Sequence, residues 1–278
     1  MASIDGTCLD DAGNRLYRDP RNPTQLYASV TSILNIKSKP GLGIGLKNQV
    51  ATFAAKNRKE LATLTQAETL AILKDEKVIA KDWQIAGEFG TAVHQVVENI
   101  IYAEPLDHDL RVVESTKSYP VSNTFTEFVP QYWGEFVREH NVKPIMAERS
   151  VVNTIWGYAG RFDTIAEIDG EIAIIDTKSN KNGPKPEVAL QNSAYSQGEY
   201  VFDFQSGKIT PLPRVTASYV LWIREEGWNL FPLKLNDRTF DVFLEHLFLF
   251  RSWAYEVDTF VGPAVHSDRI QPVKPFYR

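Results

Sequence analysis

Two aspartates and a lysine are spaced so that one β-hairpin would bring them together. Asp169-Gly170 lies between two alternating, β-branched segments and is typical of a two-residue hairpin turn. The register set by that turn places Asp163 directly opposite Asp176 on one face of the hairpin. Their Cβ atoms would lie roughly 4.5–5.5 Å apart. The two carboxylates then repel each other unless a divalent cation or a shared proton offsets their charge.

Lys178 lies two residues beyond Asp176, on the same face of the predicted strand. Carboxylates that hold a divalent ion beside an ammonium group suit the hydrolysis of a phosphodiester, because the ion and the ammonium both stabilise charge on phosphate oxygens. The alternative is an exposed hairpin face on which these charged residues form surface ion pairs. Ile165 and Ile174 fall on the same face and favour a partly covered cleft.

The hairpin resembles a known nuclease signature. Gly160-Arg161-Phe162-Asp163 followed by Ile174-Ile175-Asp176-Thr177-Lys178 resembles the D…(D/E)-x-K signature of the PD-(D/E)XK nuclease superfamily, with Phe162 in place of its proline. Gly90-Thr91-Ala92-Val93-His94 is similar to the G-x-x-x-H helix motif of RecB-like exonucleases, and Gln191-Asn192-Ser193-Ala194-Tyr195 to their Q-x-x-x-Y motif. Glu148 matches the acidic residue of the strand before the hairpin. The resemblance covers residues 27 to about 200, and the opening resembles phage-encoded members.

The resemblance implies a role for each matching residue. His94, Asp163, Asp176 and the carbonyl of Thr177 would hold Mg²⁺ or Mn²⁺, Lys178 would orient the attacking water, and Glu148 would assist or bind a second metal. Substrate phosphates would be contacted by Gln191, Tyr195, Arg161 and Lys181. From the residues alone, His94 is more typical of a packed or surface histidine than of a metal ligand, and the alternative for Tyr195 is a ring packed under the sheet.

Periodicity predicts the elements that position these residues. Helices are expected over about 66–76, 83–103, 124–140, 187–202 and 237–255, and strands over 145–156, 158–178 with its turn, 215–224 and 228–235. This order predicts an α/β (mixed α+β) fold with a central mixed β-sheet flanked by helices. The resemblance makes it a restriction-endonuclease-like core over 81–278, with an N-terminal helical and loop extension over 1–80.

Composition excludes several classes of protein. The chain has 278 residues, of which 43% are hydrophobic, and a net charge of −5, which indicates a globular protein without a generally basic surface. A single cysteine excludes a disulfide framework and an iron–sulfur cluster. The glycine run 41–45 lacks the lysine of a P-loop, so no nucleotide cofactor is expected. Neither a signal segment nor a membrane-spanning run is evident, and we expect a cytoplasmic protein.

The sequence therefore predicts a Mg²⁺- or Mn²⁺-dependent DNA exonuclease of recombination, repair or phage DNA metabolism. Its substrate would be single-stranded DNA or duplex ends, and a recombination or single-strand annealing protein is a possible partner. A basic segment with no acid in it precedes the core and would either contact the DNA backbone or form a solvated helix face: Lys37, Lys39, Lys47, Lys56, Arg58 and Lys59. The alternatives are a structure-specific endonuclease on the same core and a DNA-binding module that does not cleave.

Overall fold

The computed structural model describes residues 7–37, 40–75, 81–105, 113–116, 120–204 and 206–260. In chain order its strands and helices are β1 (Thr7–Leu9), β2 (Arg15–Arg18), β3 (Leu26–Ser29), α1 (Val30–Leu34), α2 (Pro40–Lys56), α3 (Arg58–Leu61), α4 (Gln66–Lys74), α5 (Lys81–Tyr102), α6 (Phe125–Glu139), β4 (Lys143–Asn153), β5 (Tyr158–Ile168), β6 (Glu171–Lys178), α7 (Glu187–Ser196), β7 (Tyr200–Phe202), β8 (Ile209–Pro211), β9 (Ala217–Arg224), β10 (Gly227–Pro232) and α8 (Asp237–Arg251). No helix in this described part is both long and apolar enough to cross a bilayer.

One mixed sheet joins all the strands, and β5 is the strand at which it branches. Along one edge β5 pairs with β4. Along the other edge it pairs first with β3, at Tyr158 and Ala159, and then with β6, from Thr164 onward. The pairs β3–β5 and β6–β9 are parallel and the others antiparallel. The predicted mixed sheet flanked by helices is confirmed, and Asp163 lies where β5 changes neighbours.

The predicted hairpin register is confirmed over most of its length. Ile168 pairs with Glu171, and the ladder runs back in step to Thr164 and Ile175, where it ends one step before the predicted pair of Asp163 and Asp176. The turn residues have positive φ, +49° at Asp169 and +92° at Gly170, as a two-residue hairpin turn of the primed type requires. Turn chemistry and the period of two together therefore fix how the two strands meet.

Gly170→Val is expected to lower the free energy of unfolding by about 1–2 kcal/mol, because a β-branched residue is strained at positive φ. Any one-residue slip that relieves the strain turns one strand's aspartate to the opposite face, so nuclease activity should fall as well. Urea unfolding measures the loss. Gly170→Asn is the matched control, since asparagine tolerates positive φ and a Cβ at this position would meet no heavy atom within 4 Å, so the loss of stability should be smaller. Equal stability of the Gly170→Val protein would contradict the account of the turn.

Two hydrophobic cores lie on opposite faces of the sheet. The α5–α6 core joins those helices to one face of β5, β6 and β9 and includes Phe89, Val93, Phe125, Phe136, Ala166, Ile175 and Leu221. The α7–α8 core joins α1, α7 and α8 to the other face and includes Ile33, Phe162, Ile165, Ile174, Tyr195 and Phe243. Ile165 and Ile174 are thus wholly buried, at 0% and 1% exposure. They lie in the core rather than beside a partly covered cleft, because α7 and α8 pack on that face of the hairpin.

The first strands belong to the central sheet. Residues 7–29, where the sequence suggested turns and helices, form β1 to β3, and β3 pairs with β5. The helix predicted near 66–76 is confirmed as α4, with a reciprocal capping box between Thr65 and Glu68. The helix predicted over 187–202 ends at Ser196, because Tyr200–Phe202 instead pairs with β4 as β7. The domain boundary near residue 80 stays a prediction.

Candidate active site

Helix α5 carries a histidine to the branch point of the sheet. Its apolar residues pack into the α5–α6 core, and His94 lies between them and the strand ends. The Nδ1 atom of His94 is 3.2 Å from Glu148 Oε1 and 3.6 Å from Asp163 Oδ2. The three residues come from α5, β4 and β5, so tertiary packing assembles the group.

His94, Glu148 and Asp163 form a candidate metal centre. One ligand atom from each lies within 4.8 Å of the others. Adjacent ligands of an octahedral ion with bonds of about 2.1 Å are about 3 Å apart, so these separations fit a divalent ion with little rearrangement. Two carboxylates and an imidazole suit Mg²⁺, Mn²⁺ and related ions. The donor set therefore fits the metal that the sequence analysis expected.

The Thr177 backbone borders this centre on the β6 side. Its carbonyl oxygen lies 2.8 Å from His94 Nε2, and its amide donates to Asp163 Oδ2 at 2.8 Å. The predicted ligands His94, Asp163 and the Thr177 carbonyl are thus adjacent. The hydrogen bond from the amide fixes the orientation of the Asp163 carboxylate.

Asp176 lies beside the metal group rather than in it. Its side chain is 2% exposed, its Oδ2 is 2.6 Å from Lys178 Nζ, and Gln191 Nε2 donates to its Oδ1 at 3.4 Å. Burial, followed by the nearby charge of Asp163, raises the pKa of the Asp176 carboxyl above its ordinary value. The structure therefore groups Asp176 with Lys178 and Gln191, whereas Glu148 takes the place beside His94.

The centre balances charge without a metal. Burial works to lower the pKa of His94, but the carboxylates of Asp163 and Glu148 outweigh it and raise that pKa to about 9. Burial likewise works against the charged form of Lys178, and Asp163 and Asp176 overcome it, so the pKa of Lys178 is raised. The carboxylates therefore hold both cations charged at neutral pH.

The backbone at Glu148 is in the left-handed region, with φ of +50°. On either side of it Met146 and Val151 contact the same α7–α8 core, although strict alternation would place residues five apart on opposite faces. Phe162 and Ile165 show the same break in β5, on either side of Asp163. In both strands the alternation of side chains between the two sheet faces is therefore interrupted at the site. As a result Glu148 points toward His94 and toward Arg161, whose Nε lies 2.6 Å from Glu148 Oε2.

Comparing Glu148→Gly with Glu148→Ala should reveal the backbone strain. Both variants lose the carboxylate, but only glycine adopts positive φ without steric cost. We expect Glu148→Gly to be more stable than Glu148→Ala by about 1 kcal/mol. Urea unfolding in EDTA measures the difference without metal. Equal stabilities would show that position 148 stores no strain.

An open cleft of about 530 Å³ exposes this centre. One wall is α5, and the other is the end of β6 with the residues that follow it. The lining residues that carry the argument are Gly87, Gly90, His94, Arg161, Thr177 and Lys178. Arg161 is 39% exposed and bound to Glu148 through Nε, so it is placed for a substrate phosphate. Lys181 is exposed in the turn after β6.

The Q-x-x-x-Y residues of α7 have different surroundings. Gln191 is half-buried and reaches Asp176, whereas Tyr195 is 3% exposed and belongs to the α7–α8 core. The Tyr195 ring packs on Gly160, where an added Cβ would lie 2.3 Å from Cε1. Direct contact between Tyr195 and DNA is therefore not supported, because the ring has no exposed face to offer.

Comparison with known proteins gives only distant likenesses. No protein-family model matches the sequence, and no curated protein matches it significantly. An alkaline exonuclease (LHK-Exo) from Laribacter hongkongensis is similar with a TM-score of 0.33 and 10% identity, over 59% of this chain and 77% of that one. The protein SSO0001 is similar with a TM-score of 0.26 and 13% identity, over 66% of this chain and 86% of that one. Likeness at these TM-scores carries no argument about function.

Two side chains that the sequence analysis missed hold the wall after β6. Trp222 Nε1 donates to the Asn180 carbonyl at 2.8 Å, and Arg224 Nη1 donates to the Ser179 carbonyl at 2.6 Å. Both come from β9, whose parallel pairing places Trp222 beside Lys178. Their spacing of two on a predicted strand signals a shared face, but nothing in the sequence says which loop that face meets.

Proposed function

We propose that this protein is a metal-dependent deoxyribonuclease that hydrolyses phosphodiester bonds, acting as an exonuclease. The observation that carries the proposal is the convergence of His94, Glu148 and Asp163 on one point, with the Asp176–Lys178 pair beside it, in a cleft open to solvent. Three ligands from three elements, next to an ion pair between buried Asp176 and half-buried Lys178, are the groups that phosphodiester hydrolysis needs.

In this proposal His94, Glu148, Asp163 and the Thr177 carbonyl would hold Mg²⁺ or Mn²⁺, and Asp176 would offer its carboxylate to the ion from its pair with Lys178. The bound ion supplies Lewis acidity at a phosphate oxygen. Lys178 orients the attacking water and stabilises the negative charge that develops on the phosphate. The hydrogen bond from Gln191 holds the Asp176 carboxylate in place.

Basic side chains at the cleft bind the DNA backbone. Arg161 has Nε bound to Glu148, which leaves its other guanidinium nitrogens to face a phosphate. Lys181, exposed beyond the end of β6, extends this positive edge. We assign DNA as substrate, the cytoplasm as setting and recombination, repair or phage DNA metabolism as role on the resemblance of the motifs, with a single-strand annealing protein as a fitting partner.

Two alternatives use the same geometry. A structure-specific endonuclease would share the centre, and a DNA-binding module would share the fold without cleaving. Lys178, paired with the buried Asp176 beside the metal group, favours an enzyme, because a binding module gains nothing from a carboxylate that is buried and must be paired.

Cleavage of end-labelled linear DNA and of closed circular DNA, with Mg²⁺ or Mn²⁺ and with EDTA, tests the proposal. An exonuclease releases nucleotides from linear DNA only, and an endonuclease also opens the circle. Cleavage that persists in EDTA, or no cleavage with any divalent ion, would refute the assignment. Asp241→Asn, an exposed change on α8, is the matched control and should cleave like the wild type.

A further inference from the structure

The face of α5 that bears His94 extends well beyond the metal group. At 100° per residue Trp83, Gly87, Gly90 and His94 fall within about 60° of one another, so they form one row along the helix. Gly87, Gly90 and His94 line the cleft, and Trp83 lies one turn before Gly87. With a rise of 1.5 Å per residue, Trp83 is about 16 Å from His94 along the axis.

Internal packing does not explain the two glycines in this row. A Cβ atom built on Gly87 or on Gly90 would meet no heavy atom within 4 Å. Glycine in a helix interior lowers helix stability relative to alanine, so both positions reduce stability without a packing reason in the described residues. They leave a strip of bare helix backbone facing the cleft, which a ligand can approach closely.

The opposite wall has polar groups without partners. Thr177 is 1% exposed and lines the cleft, and its hydroxyl oxygen has no hydrogen-bond partner among the described residues. The side-chain oxygen of Asn180, also in this wall, likewise has none there. Buried polar atoms are rarely left unpaired, and because both oxygens are themselves buried, they suit an ordered water within the wall rather than a ligand in the open cleft.

At the far end of the row Trp83 is held in place but remains exposed. Its indole Cζ2 lies 3.0 Å from the position of a Cβ on Gly45, so α2 packs directly on the ring. The residue is still 39% exposed. Lys47 lies two residues after Gly45 on α2, and Lys56, Arg58 and Lys59 follow on α2 and α3 with no acid before Glu60.

We propose that Trp83 stacks against an unpaired base of a DNA strand whose backbone runs along Gly87 and Gly90 toward His94. The inference rests on the proposed function, which places DNA in this cleft. An exposed indole stacks on any base that is free of its duplex partner. The 16 Å span corresponds to about five nucleotides at the 3.4 Å spacing of a stacked strand, and to fewer in an extended one. Trp83 thereby selects a single-stranded segment.

Binding of a labelled oligothymidylate, measured by fluorescence anisotropy in EDTA so that nothing is cleaved, tests the path. Gly87→Ala should raise the melting temperature by about 2 °C and yet weaken binding, because the added methyl favours the helix and obstructs the strand. Gly134→Ala in α6 is the matched control: its Cβ would meet only Arg138 Nη1 at 3.4 Å, so it should leave affinity unchanged. Unchanged affinity in Gly87→Ala would overturn the path.

Trp83→Leu tests the stacking itself. It should weaken oligothymidylate binding about five-fold or more, with Trp83→Phe retaining part of the affinity and a blunt duplex of equal length binding as before. Equal losses for both DNAs, or no loss, would refute the role of Trp83. These binding assays do not depend on cleavage, so the two proposals can fail separately. If the wild type shows this binding but cleaves no DNA, only the nuclease assignment is refuted. If the wild type cleaves DNA and the Trp83 variants bind oligothymidylate as the wild type does, only the stacking is refuted.

Discussion

Asp163→Asn is expected to lower Mg²⁺- or Mn²⁺-dependent cleavage about a thousand-fold or more while leaving the fold in place. The amide oxygen of asparagine can still accept the hydrogen bond from the Thr177 amide, which Asp163 Oδ2 accepts at 2.8 Å. The change therefore removes charge and spares the contact. A divalent ion would lose one of its two carboxylates beside His94, and several kcal/mol of its stabilisation of the transition state with it.

Initial rates on end-labelled linear DNA, together with a thermal melt in EDTA, check this result. Asp241→Asn makes the same chemical change outside the cleft and should preserve both rate and melting temperature. Wild-type cleavage by the Asp163→Asn protein would remove that residue from the metal centre. A collapse of the melting temperature would instead show that its carboxylate serves the fold.

Lys178→Met is expected to lower turnover about a hundred-fold or more with little change in the affinity for DNA, because the ammonium acts on the attacking water and the transition state. The same change leaves Asp176 buried without its cation, at a cost of about 3 kcal/mol in the free energy of unfolding. The double variant Asp176→Asn/Lys178→Met removes that buried charge. It should recover most of the stability and none of the cleavage.

Single-turnover rates, oligonucleotide affinity in EDTA and urea unfolding separate these effects. Equal losses of turnover and affinity would make Lys178 a simple phosphate contact. Cleavage that returns with stability in the double variant would mean that the single change acts only by unfolding the protein.

The hairpin was predictable because its information is local. A two-residue Asp169-Gly170 turn and the period of two set the register, and the structure keeps both from the turn to Thr164 and Ile175. The capping box of α4 and the extent of α5 are equally local. These features depend on residues close in sequence, so few competing arrangements exist.

The sheet face on which Asp163 and Glu148 lie was not predictable from such local information. Counting by two assigns Asp163 the face of Ile165, but alternation breaks at Asp163 in β5 and at Glu148 in β4. The positive φ of Glu148 follows from the packing of the two sheet faces against different helices. No residue type near position 148 in the sequence predicts it. For that reason the sequence gives Glu148 only an assisting role or a second metal, whereas the structure places it beside His94.

The contact between Gly160 and Tyr195 determines how closely α7 sits on the sheet. The Tyr195 ring lies directly on the backbone of Gly160, so α7 packs on β5 at close range. The Tyr195 ring already fills the space beside Gly160, so a larger residue at position 160 has no room. A side chain at that point would act as a wedge under α7 and lift Gln191 away from Asp176. The position of Asp176 beside the cleft therefore depends on how tightly α7 packs on β5 in the core beneath it.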